Sequence, residues 1–100
     1  MTMRFEWDGQ KNRVNQEKHG IAFESATLVF NDPHAVFRKD RIVDGEQRWH
    51  AIGAVEMAVL LVVHVYRMEN DNGEEETIRI ISAREASSRE RRVYVQQAAE

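Results

Sequence analysis

One hundred residues at 11.7 kDa suit a single domain, because two cores would each be too small to offset chain entropy. A hydrophobic fraction of 42% beside 31% charged residues excludes a disordered or fibrous chain, and the absence of cysteine excludes a disulfide scaffold, a thiolate zinc site and a thiol nucleophile. Fourteen Lys and Arg against seventeen Asp and Glu leave a net charge of −3, so attraction of a polyanion would have to come from a local cationic patch.

Met3–Trp7 places Phe5 and Trp7 at period two and reads as a strand. Asp8 is a helix N-cap, and the helix runs from about Gly9 to about Lys18, stopping near Gly20. This helix is unusually polar, with Val14 as the apolar residue in its middle. Either Trp7 and Ile21 hold it on the surface, or its polar face has work to do. Phe23, Ala26, Val29 and Phe30 recur at helical spacing and predict a second helix, stopped by Asn31-Asp32-Pro33. His34–Arg38 reads as an edge strand and Asp40–Gly45 as a charged loop with an Asp-Gly turn. Gln47–Val55 and Met57–Tyr66 read as strands reversed at Glu56, and Asn70–Gly73 as a loop. Thr77–Arg84 is the last strand, with Ile78, Ile80 and Ser82 expected on one face. Ser87-Ser88-Arg89-Glu90 has the form of a capping box and opens a final helix to about Ala98.

The order β-α-α-β-β-β-β-α with short connections predicts an α+β domain: a curved antiparallel sheet of four or five strands, its helices covering one face. The opening residues lack an apolar h-region and the apolar run Met57–Val63 falls short of the about 20 residues of a membrane span, so a cytoplasmic chain is expected.

His19, His34, His50 and His64 show no metal-binding spacing, no glycine-rich phosphate loop is present, and neither metal nor cofactor is expected. His64, within an apolar strand, reads as a hydrogen-bonded core residue. The acidic cluster Glu69, Asp71, Glu74, Glu75 and Glu76 reads as a solvated loop. What remains is cationic. Eleven of the fourteen cations are arginine, whose planar fork matches phosphate or carboxylate. Lys11 and Lys18 share a helical face next to His19, Arg48 and His50 share a strand face, Arg84 ends the last strand, and Tyr94 lies on the final helix among Arg89, Arg91 and Arg92. Read alone, each has a plain alternative as a solvated or ion-paired side chain.

Phe5-Glu6-Trp7-Asp8, Lys11-Asn12-Arg13, Asn15, Lys18-His19-Gly20-Ile21-Ala22-Phe23, Asp32-Pro33, Gly45-Glu46-Gln47-Arg48-Trp49, Ile52-Gly53 and Arg79-Ile80-Ile81-Ser82-Ala83-Arg84 followed by Arg89-Glu90-Arg91 and Tyr94 resemble, in order and spacing, the BrnT family of bacterial toxins. The resemblance implies a RelE-like fold and a type II toxin–antitoxin system, whose toxin cleaves RNA and stops translation. It also implies a BrnA-like antitoxin with a ribbon-helix-helix module, promoter DNA reached only through that antitoxin, and a toxin homodimer within a heterotetramer.

Metal-free RNA cleavage requires proton transfer and stabilisation of a charged phosphorane. On the resemblance, Arg48 and Arg84 are phosphate clamps, His19 the proton-transfer group, Lys18 a charge stabiliser, and Glu46 a base or a partner that orients Arg48. Tyr94 is a further catalytic candidate. Lys11, Arg89 and Arg91 would track the RNA backbone. Two features depart from the family pattern: His50, which adds an ionisable group, and the acidic cluster, which would repel RNA and is expected away from the substrate or against a basic antitoxin segment. The rival reading is a non-catalytic protein-binding adaptor using the same charged surface.

Overall fold

The computed structural model describes residues 3–68 and 76–99. Five strands and three helices form an α+β domain: β1 (Met3–Glu6), α1 (Gly9–His19), α2 (Phe23–Ala26), β2 (Val36–Val43), β3 (Glu46–Val55), β4 (Ala58–Met68), β5 (Glu76–Glu85) and α3 (Ser88–Ala99). Of the acidic cluster, Glu76 begins β5 and the other residues lie outside the described ones. No helix is long and apolar enough to cross a membrane, among the described residues.

The sheet order is β1-β5-β4-β3-β2. The neighbours β2 to β5 pair antiparallel, as the short sequence separations between them demand. The first strand corrects the expectation of a wholly antiparallel sheet. β1 pairs with β5 in parallel, Phe5 opposite Ile78 and Glu6 opposite Arg79. Nearly the whole chain connects the two, so the crossover a parallel pair needs is available.

Three further expectations are corrected. Residues 40–43, expected within the loop Asp40–Gly45, are strand: β2 continues to Val43, and Asp44 and Gly45, both at positive φ, make the turn. As an edge strand β2 carries charged side chains without burying them, and its register slips between Lys39 and Ile42. The second helix is a single α-turn that tightens into a 3₁₀ turn, Thr27–Asn31. That turn lies on Gly53 of β3, where an added Cβ would come within 2.8 Å of a Val29 methyl, so no larger residue fits without moving it. Finally, β5 holds a bulge. Ile80 pairs with His64 and Ser82 with Val63, leaving Ile81 as the extra residue. Alternation restarts there, so Ala83, not Ser82, joins Ile78 and Ile80 in the core.

The helices cover both faces, where one was expected. On the first face Phe23, Ala26 and Val29 close over Ala51, Leu60, Val62, Ile78, Ile80 and Ala83, with Phe5, Trp7 and Phe30 packed at the margin. On the second face α3 covers only one end, Tyr94 packing with Ala86 over Ile52, Val59 and Leu61. The capping box forms as read: Ser87 Oγ accepts from the Glu90 N–H at 3.2 Å, and a Glu90 carboxylate oxygen accepts from the Ser87 N–H at 2.8 Å.

His64 is fully buried on the first face, its ring edge-on to Phe30 and Tyr66 with centroids 4.9 and 5.0 Å away. Nδ1 lies 3.4 Å from the Val62 carbonyl, while Nε2 has no partner among the described residues. It is thus a core histidine, as the sequence suggested, with half of its hydrogen-bonding capacity unused.

Candidate functional site

Polar groups collect on the part of the second face that α3 leaves open. Alternation and register arrange them in rows across β3, β4 and β5. One row is Ser82, Val63, His50 and, on β2, Arg38. The next is Glu6, Arg79 and Val65, with Arg48 two residues before His50 on the same face of β3. Beyond it Arg67 meets Glu46, and at the α3 end Arg84 flanks Leu61. Two strand spacings put the Cα atoms of Ser82 and His50 roughly 10 Å apart.

Most of these cations are engaged. Arg84 forms a two-pronged pair with Glu90, at 2.8 and 2.9 Å. That pairing holds the Glu90 carboxyl down at about 2 and pushes the Arg84 guanidinium up. Arg79 pairs with Glu6, Arg67 with Glu46 at 3.3 Å, and His50 Nε2 with Asp40 at 3.2 Å. Glu46 therefore serves Arg67 and not Arg48, because Arg67 is its neighbour across β3 and β4. Arg48 is half-buried and has no ion pair or side-chain hydrogen bond among the described residues.

Beside β5, a hollow of about 260 Å³ is lined by Lys11, Val14, Asn15, Lys18 and His19 of α1 and by Ile81 and Ser82 of the bulge. Local chemistry makes α1 there. The Asp8 carboxylate accepts from the Gln10 and Lys11 N–H groups at 2.9 and 3.0 Å. Gly20, at φ 71°, ends the helix in the left-handed conformation. Lys18 and His19 fall in the last turn, where the helix dipole favours cations. The hollow thus unites Lys11, Lys18 and His19, and through Ser82 it meets the row that contains His50. Arg48 and Arg84 do not line it. They share the open face without touching it.

Tyr94 is tied elsewhere. Its hydroxyl donates to Asp32 at 2.6 Å, which pushes its own pKa up to about 12. The same Asp32 accepts from the backbone N–H groups of Ala54 and His34. Tyr94 thereby fastens α3 to the turn before β2. Tyr94→Phe should lower stability by about 2 kcal/mol, as expected for losing a hydrogen bond to a charged acceptor, and urea denaturation at neutral pH measures it. Arg89 and Arg91 lie exposed on α3.

Sequence reasoning missed the residues that dock α1. Asn12 and Asn15, 7% and 6% exposed, are its buried side chains. Their spacing of three on a polar helix was the available signal, since it puts two short amides on one face. Among the described residues no group of three His, Cys, Asp or Glu is arranged to hold a metal.

A search of curated proteins finds no match to this chain. The family model for BrnT, the ribonuclease toxin of type II toxin–antitoxin systems, matches residues 7–90. With an arginine- and histidine-bearing face beside a cationic hollow, and with that match over most of its length, the chain belongs to the BrnT family of ribonuclease toxins.

Proposed function

We propose that this chain cleaves RNA by attack of a ribose 2′-hydroxyl on the adjacent phosphorus, without a metal ion, and thereby inhibits translation. One observation supports this most directly: the hollow with Lys11, Lys18 and His19 opens at Ser82 onto the row that leads to His50 and, two residues before it on the same face of β3, to Arg48, which has no ion pair among the described residues. A scissile phosphate seated between them has cations on two sides and an imidazole on each.

In this reaction the O2′–P bond forms and the P–O5′ bond breaks, leaving a cyclic phosphate and a 5′-hydroxyl. His19 and His50 are the two imidazoles available to take the 2′-hydroxyl proton and to return one to the 5′-oxygen. Lys18 and Arg48 bear the charge that builds on the phosphorane, in a site where fixed donors need no reorganisation. Arg84 serves as a second clamp where substrate displaces Glu90. Lys11, Arg89 and Arg91 hold the backbone on either side. The fold is RelE-like in this reading. The partner is a BrnA-like ribbon-helix-helix antitoxin that covers the open face, carries the complex to promoter DNA, and assembles with a toxin dimer.

Incubating the purified chain with a single-stranded RNA tests the chemistry. We expect cleavage at undiminished rate in excess EDTA, cyclic phosphate ends, and no cleavage of an oligonucleotide with 2′-deoxyribose at the cut site. Loss of activity in EDTA, or cleavage of the deoxy substrate, refutes the mechanism.

A further inference from the structure

The first helix has little apolar reason to lie where it does. Val14, its aliphatic residue, is half exposed and lines the hollow instead of the core. A helix polar all round has to be held by directed bonds. Asn12 supplies one set, all toward its own helix or α2: its Nδ2 donates to Glu24 at 2.9 Å, and its Oδ1 accepts from the Phe23 N–H at 2.8 Å and from Gln16 at 3.3 Å. Asn15 supplies the other. Its Nδ2 donates to the Ala83 carbonyl at 2.8 Å and to the Ile21 carbonyl at 2.9 Å, and its Oδ1 accepts from the Ala83 N–H at 3.2 Å.

Ala83 lies on β5 just past the bulge. The pairing of β1 with β5 ends at Glu6 and Arg79, so from Ile80 onward this side of β5 has no strand neighbour among the described residues. The Asn15 amide takes the place of one. It offers one donor and one acceptor to the N–H and C=O of a single residue, as a neighbouring peptide unit would. Lys18 and His19 follow three and four residues later and so project over the same face of the helix one turn on.

We infer that Asn15 is a positioning residue, which fixes Lys18 and His19 relative to the Ile81–Ser82 bulge by clamping both main-chain groups of Ala83. The functional half of this inference rests on the ribonuclease reading. Displacing a catalytic group by about 1 Å can cost a hundredfold in rate. Asparagine suits the position because it carries donor and acceptor on a short arm. Aspartate keeps the acceptor but sets a carboxylate against the carbonyls of Ala83 and Ile21, and alanine leaves both groups of Ala83 without partners.

The test uses Asn15→Ala, Asn15→Asp and Asn15→Gln in the full chain, at a temperature where circular dichroism shows each variant folded. For Ala and Asp we expect kcat on a fluorescent oligoribonucleotide to fall at least tenfold while KM stays within about threefold, with partial recovery in Gln. Amide hydrogen exchange should accelerate at Ala83, Lys18, His19 and Gly20 and keep its wild-type rates along β3 and β4. Two results overturn the inference: exchange that rises evenly across the sheet with kcat per folded molecule unchanged, or exchange at Ala83 and the last turn of α1 that does not change. A wild-type chain that cuts no RNA, with variants that show the local exchange change, keeps the clamp and overturns the ribonuclease reading alone.

Discussion

Arg48→Ala should slow RNA cleavage a hundredfold or more, on the scale set by removing one preorganised donor from a developing oxyanion, and should shift stability by no more than about 0.5 kcal/mol. The contrast follows from its surroundings. Arg79, Arg67 and Arg84 each hold a carboxylate, so truncating any of them strands a partner. Arg48 holds none among the described residues, so its removal leaves the fold as it was. Arg48→Lys should restore little, because an ammonium cannot reproduce a two-pronged contact to phosphate. Single-turnover cleavage and thermal melting of the same preparations separate the two effects. Growth after expression of the variant alone gives the same answer in cells. A fully toxic Arg48→Ala chain removes the clamp from the mechanism.

His64→Phe should make the protein more resistant to acid. Burial among Phe30, Phe37 and Tyr66 pushes the His64 pKa down from 6.5 to about 4. The unfolded chain therefore binds a proton more readily than the native one between these values. Above pH 6.5 the residue is neutral in both states and adds no pH dependence. As pH falls from 6.5 toward 4, protonation of the unfolded chain draws stability away, reaching roughly 3 kcal/mol below pH 4. Phenylalanine preserves the aromatic contacts, removes the unpartnered Nε2 and abolishes this loss. Urea unfolding at pH 7.5 and pH 4.5 should show a drop of about 2–3 kcal/mol for the wild type that the variant lacks. The Glu90 carboxyl, held at about 2 by Arg84, acts in a lower window: its contribution is complete above about 4.5 and disappears only as pH falls through 2.

What was legible in the chain was what depends on near neighbours. Asp8 caps α1 with its own carboxylate, Gly20 ends it, Pro33 follows the 3₁₀ turn, Asp44-Gly45 turns β2 into β3, and Ser87 and Glu90 cap each other. In each case the partners are at most a few residues apart. Everything hidden involved distant partners. The parallel seating of β1 on β5 and the bulge at Ile81 are properties of register, which no single strand contains. The polarity of residues 40–43 suggested a loop because an edge strand and a loop are both solvated. The same division runs through the site. The residue types were visible, and Lys18 beside His19 on α1 followed from helical geometry. That Glu46 pairs with Arg67, that Glu90 occupies Arg84, and that Asn15 docks α1 on Ala83 are contacts made across the sheet or against its edge.

The pairing of β1 with β5 has a consequence for synthesis. One wall of the hollow comes from the first twenty residues and the other from Ile81 and Ser82, held together by an Asn15–Ala83 contact that spans 68 positions. A chain still on the ribosome owns only the first wall until most of its length has emerged. If the hollow is the site of cleavage, as proposed, activity is expected only once β5 has emerged, and a truncated copy ending before β5 should be inert.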